Sequence, residues 1–96
     1  MESSVRCDYL PGCRYKIWQD AGQFCFTTDA VFLGHFPHLV RQAKVLELGC
    51  GTGAISMLLE SRGAAHVTAV DCNPQVTELL RRSVEDNMLQ EKFTVL

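Results

Sequence analysis

Residues 45–53 read Val45-Leu46-Glu47-Leu48-Gly49-Cys50-Gly51-Thr52-Gly53, and the fold follows from that run. An apolar strand, Lys44–Leu48, leads into three alternating glycines. An apolar pattern at helical spacing (Ala54, Ile55, Leu58, Leu59) begins directly afterwards. Glycine is required where a backbone turns with positive φ or comes within contact distance of a ligand. A glycine loop between a strand and a helix N-terminus forms the usual crevice for a nucleotide-like cofactor. Glu47 narrows the choice. A carboxylate two residues ahead of the loop sits badly beside a pyrophosphate and suits a ligand that carries a sulfonium and an ammonium.

A second acid lies downstream. Ala64–Val70 has strand composition and ends at Asp71, 18 residues past Gly53. The rough spacing at which an acid after the second strand grips ribose hydroxyls is ~20 residues. A carboxylate suits that task because it accepts two hydrogen bonds from a vicinal diol. Asn73 then reads as a helix cap with Pro74 at the first helical position, where its missing N–H is harmless. Val76, Leu79, Leu80, Val84 and Met88 form one apolar stripe, and Glu78 can pair with Arg82 one turn on. Lys92–Leu96 starts a third strand.

Upstream, residues 1–9 read as a loose tail. Arg14–Gln19 has strand composition, Asp20-Ala21-Gly22 is turn material, and Gln23–Phe26 is expected to return as the second strand of a β-hairpin. Thr27 or Thr28 is expected to cap a short helix through its side chain, with Asp29 adding favourable charge to the first turn and Pro37 ending the helix. Trp18, Phe24, Phe26, Phe32 and Phe36 are read as core. The glycine loop's helix should run from about Gly53 to Arg62, closed by Gly63.

Alternating strands and helices imply an α/β fold with a parallel sheet, here the first half of a doubly wound, Rossmann-like sheet preceded by a hairpin and a helix. The expected organisation is one domain over 1–96: an N-terminal hairpin-and-helix extension at 1–43 and the first three strands at 44–96. Strand Lys44–Leu48 would normally pair on both sides. Its unmatched edge predicts either a larger enzyme of which this chain is part, with a C-terminal half completing the sheet, or a dimer.

The 96 residues, 47% hydrophobic and 21% charged, fit one small globular domain and exclude a disordered chain. No apolar run approaches the ~20 residues of a membrane span. Five cysteines, at 7, 13, 25, 50 and 72, include no C-x-x-C pair and show no metal-ligand spacing, so no metal is expected. Together with a polar start, Met1-Glu2-Ser3-Ser4, they point to free thiols in the cytoplasm. A net charge of −2 argues against a large nucleic-acid surface on this chain alone.

Glu47-x-Gly49-x-Gly51-x-Gly53 together with Asp71-Cys72-Asn73-Pro74 resembles the cofactor motifs of class I S-adenosylmethionine-dependent methyltransferases. Phe24-Cys25-Phe26-Thr27-Thr28-Asp29-Ala30-Val31-Phe32-Leu33-Gly34 resembles the segment ahead of the first strand in bacterial adenine-N6 methyltransferases, most closely those acting on a valine tRNA. The likeness covers roughly Arg14 to Leu96. It implies S-adenosyl-L-methionine as cofactor and tRNA or another RNA as substrate. The site it implies has the three glycines against the methionine part and ribose, Glu47 orienting the ammonium end, and Asp71 on the ribose diol. Cys72 would lie against the adenine edge, and Thr28 and Asp29 would line the methionine end.

The same resemblance leaves the catalytic residues unknown. Adenine-amino methyltransferases use an Asn/Asp-Pro-Pro-aromatic loop. The only Asn-Pro here, Asn73-Pro74, is followed by Gln75 and opens a helix. Two other readings stay open at this point. Gly49-x-Gly51-x-x-Ala54 also satisfies the looser fingerprint of an NAD(P)-binding Rossmann domain. A chain without the catalytic loop could also be a non-catalytic cofactor-binding module.

Overall fold

The computed structural model describes residues 4–22 and 25–96. In chain order it forms β1 (Val5–Tyr9), β2 (Lys16–Asp20), α1 (Thr28–His35), β3 (Lys44–Leu48), α2 (Ala54–Ser61), β4 (His66–Val70), α3 (Pro74–Asp86) and β5 (Phe93–Val95). The last three strands make a parallel sheet in the order β3-β4-β5. This is the α/β arrangement expected from the alternating pattern.

Register decides which side chains meet the helices. Val45, Val67 and Phe93 align across the sheet, as do Glu47, Ala69 and Val95. Side chains alternate faces along a strand, so these six share one face. It lies in the core with Met57 and Leu58 of α2 and Leu80 and Val84 of α3. The opposite face carries Leu46 and Leu48, which are 62% and 74% exposed, and Leu96, just past β5 at the other edge of the sheet, is exposed as well. Among the described residues, β3 pairs with β4 alone.

The hairpin differs from its sequence reading. β2 lies where a strand is expected, but its partner is β1, the stretch read as a loose tail, with Val5 opposite Asp20 and Tyr9 opposite Lys16. Of the expected return strand, Gln23 and Phe24 lie outside the described residues, and Cys25–Phe26 is not strand. The turn falls at Pro11-Gly12, where Gly12 has φ +92° and the Leu10 N–H bonds the Tyr15 carbonyl at 3.0 Å. Pro-Gly punctuates a chain more strongly than Asp-Ala-Gly. The buried Gln19 amide does for Phe26 what a ladder would have done. Its Oε1 accepts the Phe26 N–H at 2.8 Å while its Nε2 donates to Asp8 at 2.9 Å.

The hairpin docks on α3. Ser83 Oγ accepts the Trp18 N–H at 2.8 Å, Asn87 exchanges two bonds with the Lys16 backbone, and the Trp18 indole N–H donates to Asp86 at 2.6 Å. The Arg82 guanidinium lies 3.6 Å over the Trp18 ring, a cation–π contact. Glu78 pairs with Arg81 at 3.7 Å, three residues on. Met88, assigned to the apolar stripe, is exposed with φ +60°, and Leu89 takes the buried place.

Helix α1 crosses α2 where Gly34 meets Leu58. A Cβ on Gly34 would stand 2.7 Å from Leu58 Cδ1. Its N-cap, Thr27, makes no side-chain cap bond, contrary to expectation, and the first turn relies on the Thr27 carbonyl accepting from Ala30 and Val31. Its C-terminal end is held by Arg62, which donates to the carbonyls of Gly34 at 2.9 Å and Pro37 at 2.7 Å. A cation there also opposes the negative end of the helix dipole. Phe32 and Phe36, read as core, are exposed, whereas Phe26 packs against the core.

Candidate functional site

The β3–α2 loop runs through left-handed backbone at Gly49, Gly51 and Gly53. Gly53 has a second constraint: an added Cβ would meet Leu80 Cδ1 at 2.3 Å, so the start of α2 sits directly on α3. At Gly49 and Gly51 the same construction meets nothing within 4 Å. Internal packing therefore explains Gly53 but not these two. Their missing side chains leave backbone open to whatever occupies the space outside.

That space is an open cleft of about 150 Å³, smaller than the usual ~300–1,000 Å³ of ligand sites. The glycine loop forms its floor, Glu47 contributes a carboxyl, and Cys25, Phe26 and Ala30 close it from the segment that enters α1. The N-terminal extension is thus part of the wall of the site.

Burial pushes the Glu47 carboxyl above the ordinary carboxylate range, and the nearby Asp71 charge pushes the same way. The hydroxyl and backbone N–H of Ser56 pull it back toward the ionised form. Cys50, in the loop beside it, has its thiol pushed up to about 12 by burial and by the charges of Glu47 and Asp71. It is a structural thiol, not a nucleophile. Asp71 ends β4 and reaches back to the loop. Oδ2 accepts the Gly51 N–H at 2.9 Å, and Oδ1 accepts the Asn73 N–H at 2.9 Å. Asn73 caps α3 by accepting the Gln75 N–H at 2.9 Å, with Pro74 opening the helix.

The structure therefore gathers Glu47, Gly49, Gly51 and Gly53 around one cleft, with Asp71 tied to its floor. Cys72 is exposed next to Asp71 and is not among the residues lining the cleft. Asp29 lines a separate apolar depression with Phe32, Leu33 and Phe36, and Thr28 is exposed at the start of α1, so neither is brought to the cleft. Sequence reasoning missed Ser56 and the cleft wall formed by Cys25, Phe26 and Ala30. A lone serine within the apolar pattern of α2 is the signal that points to Ser56. Among the described residues no cluster of His, Cys, Asp and Glu could hold a metal ion, and no helix is long and apolar enough to cross a membrane.

A cleft with exposed glycine backbone, a buried carboxyl at one end and an acid after the second strand fits a cationic, ribose-bearing ligand. A family model described as a methyltransferase domain matches residues 45–96. The chain belongs to that family, the class I S-adenosylmethionine-dependent methyltransferases, and S-adenosylmethionine is the cofactor that goes with it. It is 29% identical over 87 residues to the tRNA1(Val) (adenine(37)-N6)-methyltransferase of Phocaeicola vulgatus, a match covering 91% of this chain and 37% of that protein. It is 40% identical over 63 residues to protein arginine N-methyltransferase 1 of Schizosaccharomyces pombe, covering 62% of this chain and 17% of that one. Among solved structures, Methanocaldococcus jannaschii Trm5 in complex with adenosine superposes with a TM-score of 0.76 at 21% identity, over 97% of this chain and 29% of that one. That likeness shows a shared fold. The chain spans well under half the length of the curated relatives it matches.

Proposed function

We propose that this chain is the cofactor-binding part of a cytoplasmic methyltransferase whose acceptor is an adenine N6 amine in tRNA. The observation that carries the acceptor is the reach of the likeness. Matches to two tRNA adenine-N6 methyltransferases cover 91% and 92% of the chain and so run through the hairpin and α1, whereas matches to arginine methyltransferases cover 60–71% and a third tRNA adenine-N6 match 72%. The segment entering α1 also walls the cleft, so the shared extension bears on the site itself.

S-adenosylmethionine supplies a methyl group already activated on a sulfonium, so the protein's task is to position donor and acceptor. Glu47 holds the ammonium end. Gly49, Gly51 and Gly53 let the loop backbone come up to the methionine part and the ribose. Asp71, whose two oxygens each keep a lone pair beyond the backbone bonds, takes the ribose diol. Cys72 is assigned the adenine edge. Thr28 and Asp29 are assigned the methionine end, which they reach by movement of the start of α1 toward the cleft when ligand binds. No residue of this chain is assigned to the transfer step, which belongs to an Asn/Asp-Pro-Pro-aromatic loop outside these 96 residues. The exposed apolar face with Leu46 and Leu48, and the unmatched edge of β3, support completion of the sheet by further strands and helices of the same domain.

The test measures labelled methyl transfer from S-adenosylmethionine, by the full-length protein that carries this chain, to unmodified tRNA, DNA and an arginine-rich peptide. Label in N6-methyladenine of tRNA is expected. Label confined to arginine or to DNA overturns the acceptor, and tight NAD binding without S-adenosylhomocysteine binding overturns the cofactor site.

A further inference from the structure

Ser56 has no exposed surface and lies in the first turn of α2, nine residues beyond Glu47. Its hydroxyl donates to Glu47 Oε1, and its backbone N–H bonds the same carboxyl. The first N–H groups of a helix have no partner within it, and the N-cap of α2 is Gly53, which has no side chain to offer. Glu47 therefore supplies from β3 the anion that α2 lacks, and the pair joins the two ends of the glycine loop. Glu47 lines the cleft whereas Ser56 does not, so the serine holds the carboxyl from behind.

We propose that Ser56 is a positioning residue for Glu47: its hydroxyl fixes the carboxyl at the back of the cleft and keeps it charged for a cationic amino group. The proposal rests on the reading of Glu47 as the ammonium partner. A carboxylate in a dry site tends to take up a proton, and an O–H donor opposes this because it bonds the charged form better. The other groups near Glu47 do not help it stay charged. Asp71 at the end of β4 repels it, the Cys50 thiol of the loop stays protonated, and the remaining titratable wall residue is Cys25. The one other aid is the Ser56 N–H itself, which a side-chain substitution leaves in place.

The experiment follows the Glu47 carboxyl by carbon-detected NMR titration of the ligand-free full-length protein that carries this chain, alongside calorimetric binding of S-adenosylhomocysteine from pH 5 to pH 8. Ser56→Ala is expected to raise the Glu47 midpoint by roughly one pH unit and to weaken binding by about tenfold well below that midpoint, with little change at pH 8. Glu47→Gln should remove the pH dependence. An unmoved midpoint, or a loss of affinity equal at every pH, overturns the proposal. If Ser56→Ala does not fold, Ser56→Cys, similar in size with a weak S–H donor, carries the same expectation at smaller size. A midpoint that moves in a chain that binds no S-adenosylhomocysteine would sustain the role of Ser56 and sink the cofactor assignment of Glu47.

Discussion

Asp71 Oδ2 accepts the Gly51 N–H at 2.9 Å, so the acid that ends β4 sets the position of the middle glycine of the β3–α2 loop. One carboxylate thereby serves the loop floor and, through its remaining lone pairs, a bound ribose. Asp71→Ala removes both. S-adenosylhomocysteine binding should weaken by about 1.5–3 kcal/mol, the usual worth of hydrogen bonds to a charged group. Calorimetry checks this, and an unchanged affinity would remove Asp71 from the ribose site.

Gly51 and Gly53 should respond differently to alanine. At Gly51, with φ +58° and open space, the cost is the strain of left-handed backbone, about 1–2 kcal/mol. At Gly53 the strain at φ +96° is joined by a clash with Leu80, and overpacking adds about 1–3 kcal/mol. Urea unfolding should rank Gly53→Ala well below Gly51→Ala. Pairing Gly53→Ala with Leu80→Ala would relieve the clash but not the strain. Equal stabilities would refute the packing of α2 on α3 at this point.

Glu47 links stability to function with opposite signs. Its carboxyl is raised by burial, so between the ordinary value and the raised one the folded state holds more protons than the unfolded. Stability then falls as pH rises through that window, and at neutral pH the group is a net burden on the fold. Glu47→Gln should raise the melting temperature at pH 7 and have a smaller effect at pH 4, while weakening S-adenosylhomocysteine binding roughly tenfold or more at pH 7. A lower melting temperature at pH 7 would show that the charged form is the better satisfied one.

Ser83→Ala probes the docking of the hairpin. The buried Ser83 hydroxyl accepts the Trp18 N–H and donates to the Leu79 carbonyl at 3.2 Å. Without it the β2 N–H loses its partner, at about 1–3 kcal/mol. Trp18 is the only tryptophan in the chain, so its fluorescence reports the hairpin directly. The fluorescence midpoint in urea should fall, and coincidence with the wild-type curve would mean that water replaces the serine.

The sheet and its loop were legible because the signals were local. Continuous apolar runs gave β3 and β4, the glycines gave the turn, and Asn73-Pro74 marked the start of α3 at its observed position. The hairpin partner was hidden because β1 is mostly exposed, and its charged Arg6 and Asp8 pair with each other at 2.6 Å along the surface. Such a strand shows no apolar alternation, and only Pro11-Gly12 marked the turn. At the site, the places of Glu47 in β3 before the loop and of Asp71 after β4 could be read from residue type and spacing. The bonds from Ser56 and Gly51 could not, since both depend on how the loop closes in three dimensions. Asp29 lies outside the cleft, which Ala30 lines, because the turn of α1 carries the acid round to another side.

The anchoring of Lys16 by Asn87, 71 residues later, has a consequence for the order in which the chain matures on a ribosome. The β1–β2 ladder is local and can zip within microseconds of emerging. At about 5–20 residues per second, the residue that anchors Lys16 arrives roughly 4–14 s afterwards. Throughout that interval the hairpin waits for the helix that anchors it, so its docking is sealed by a segment made well after it.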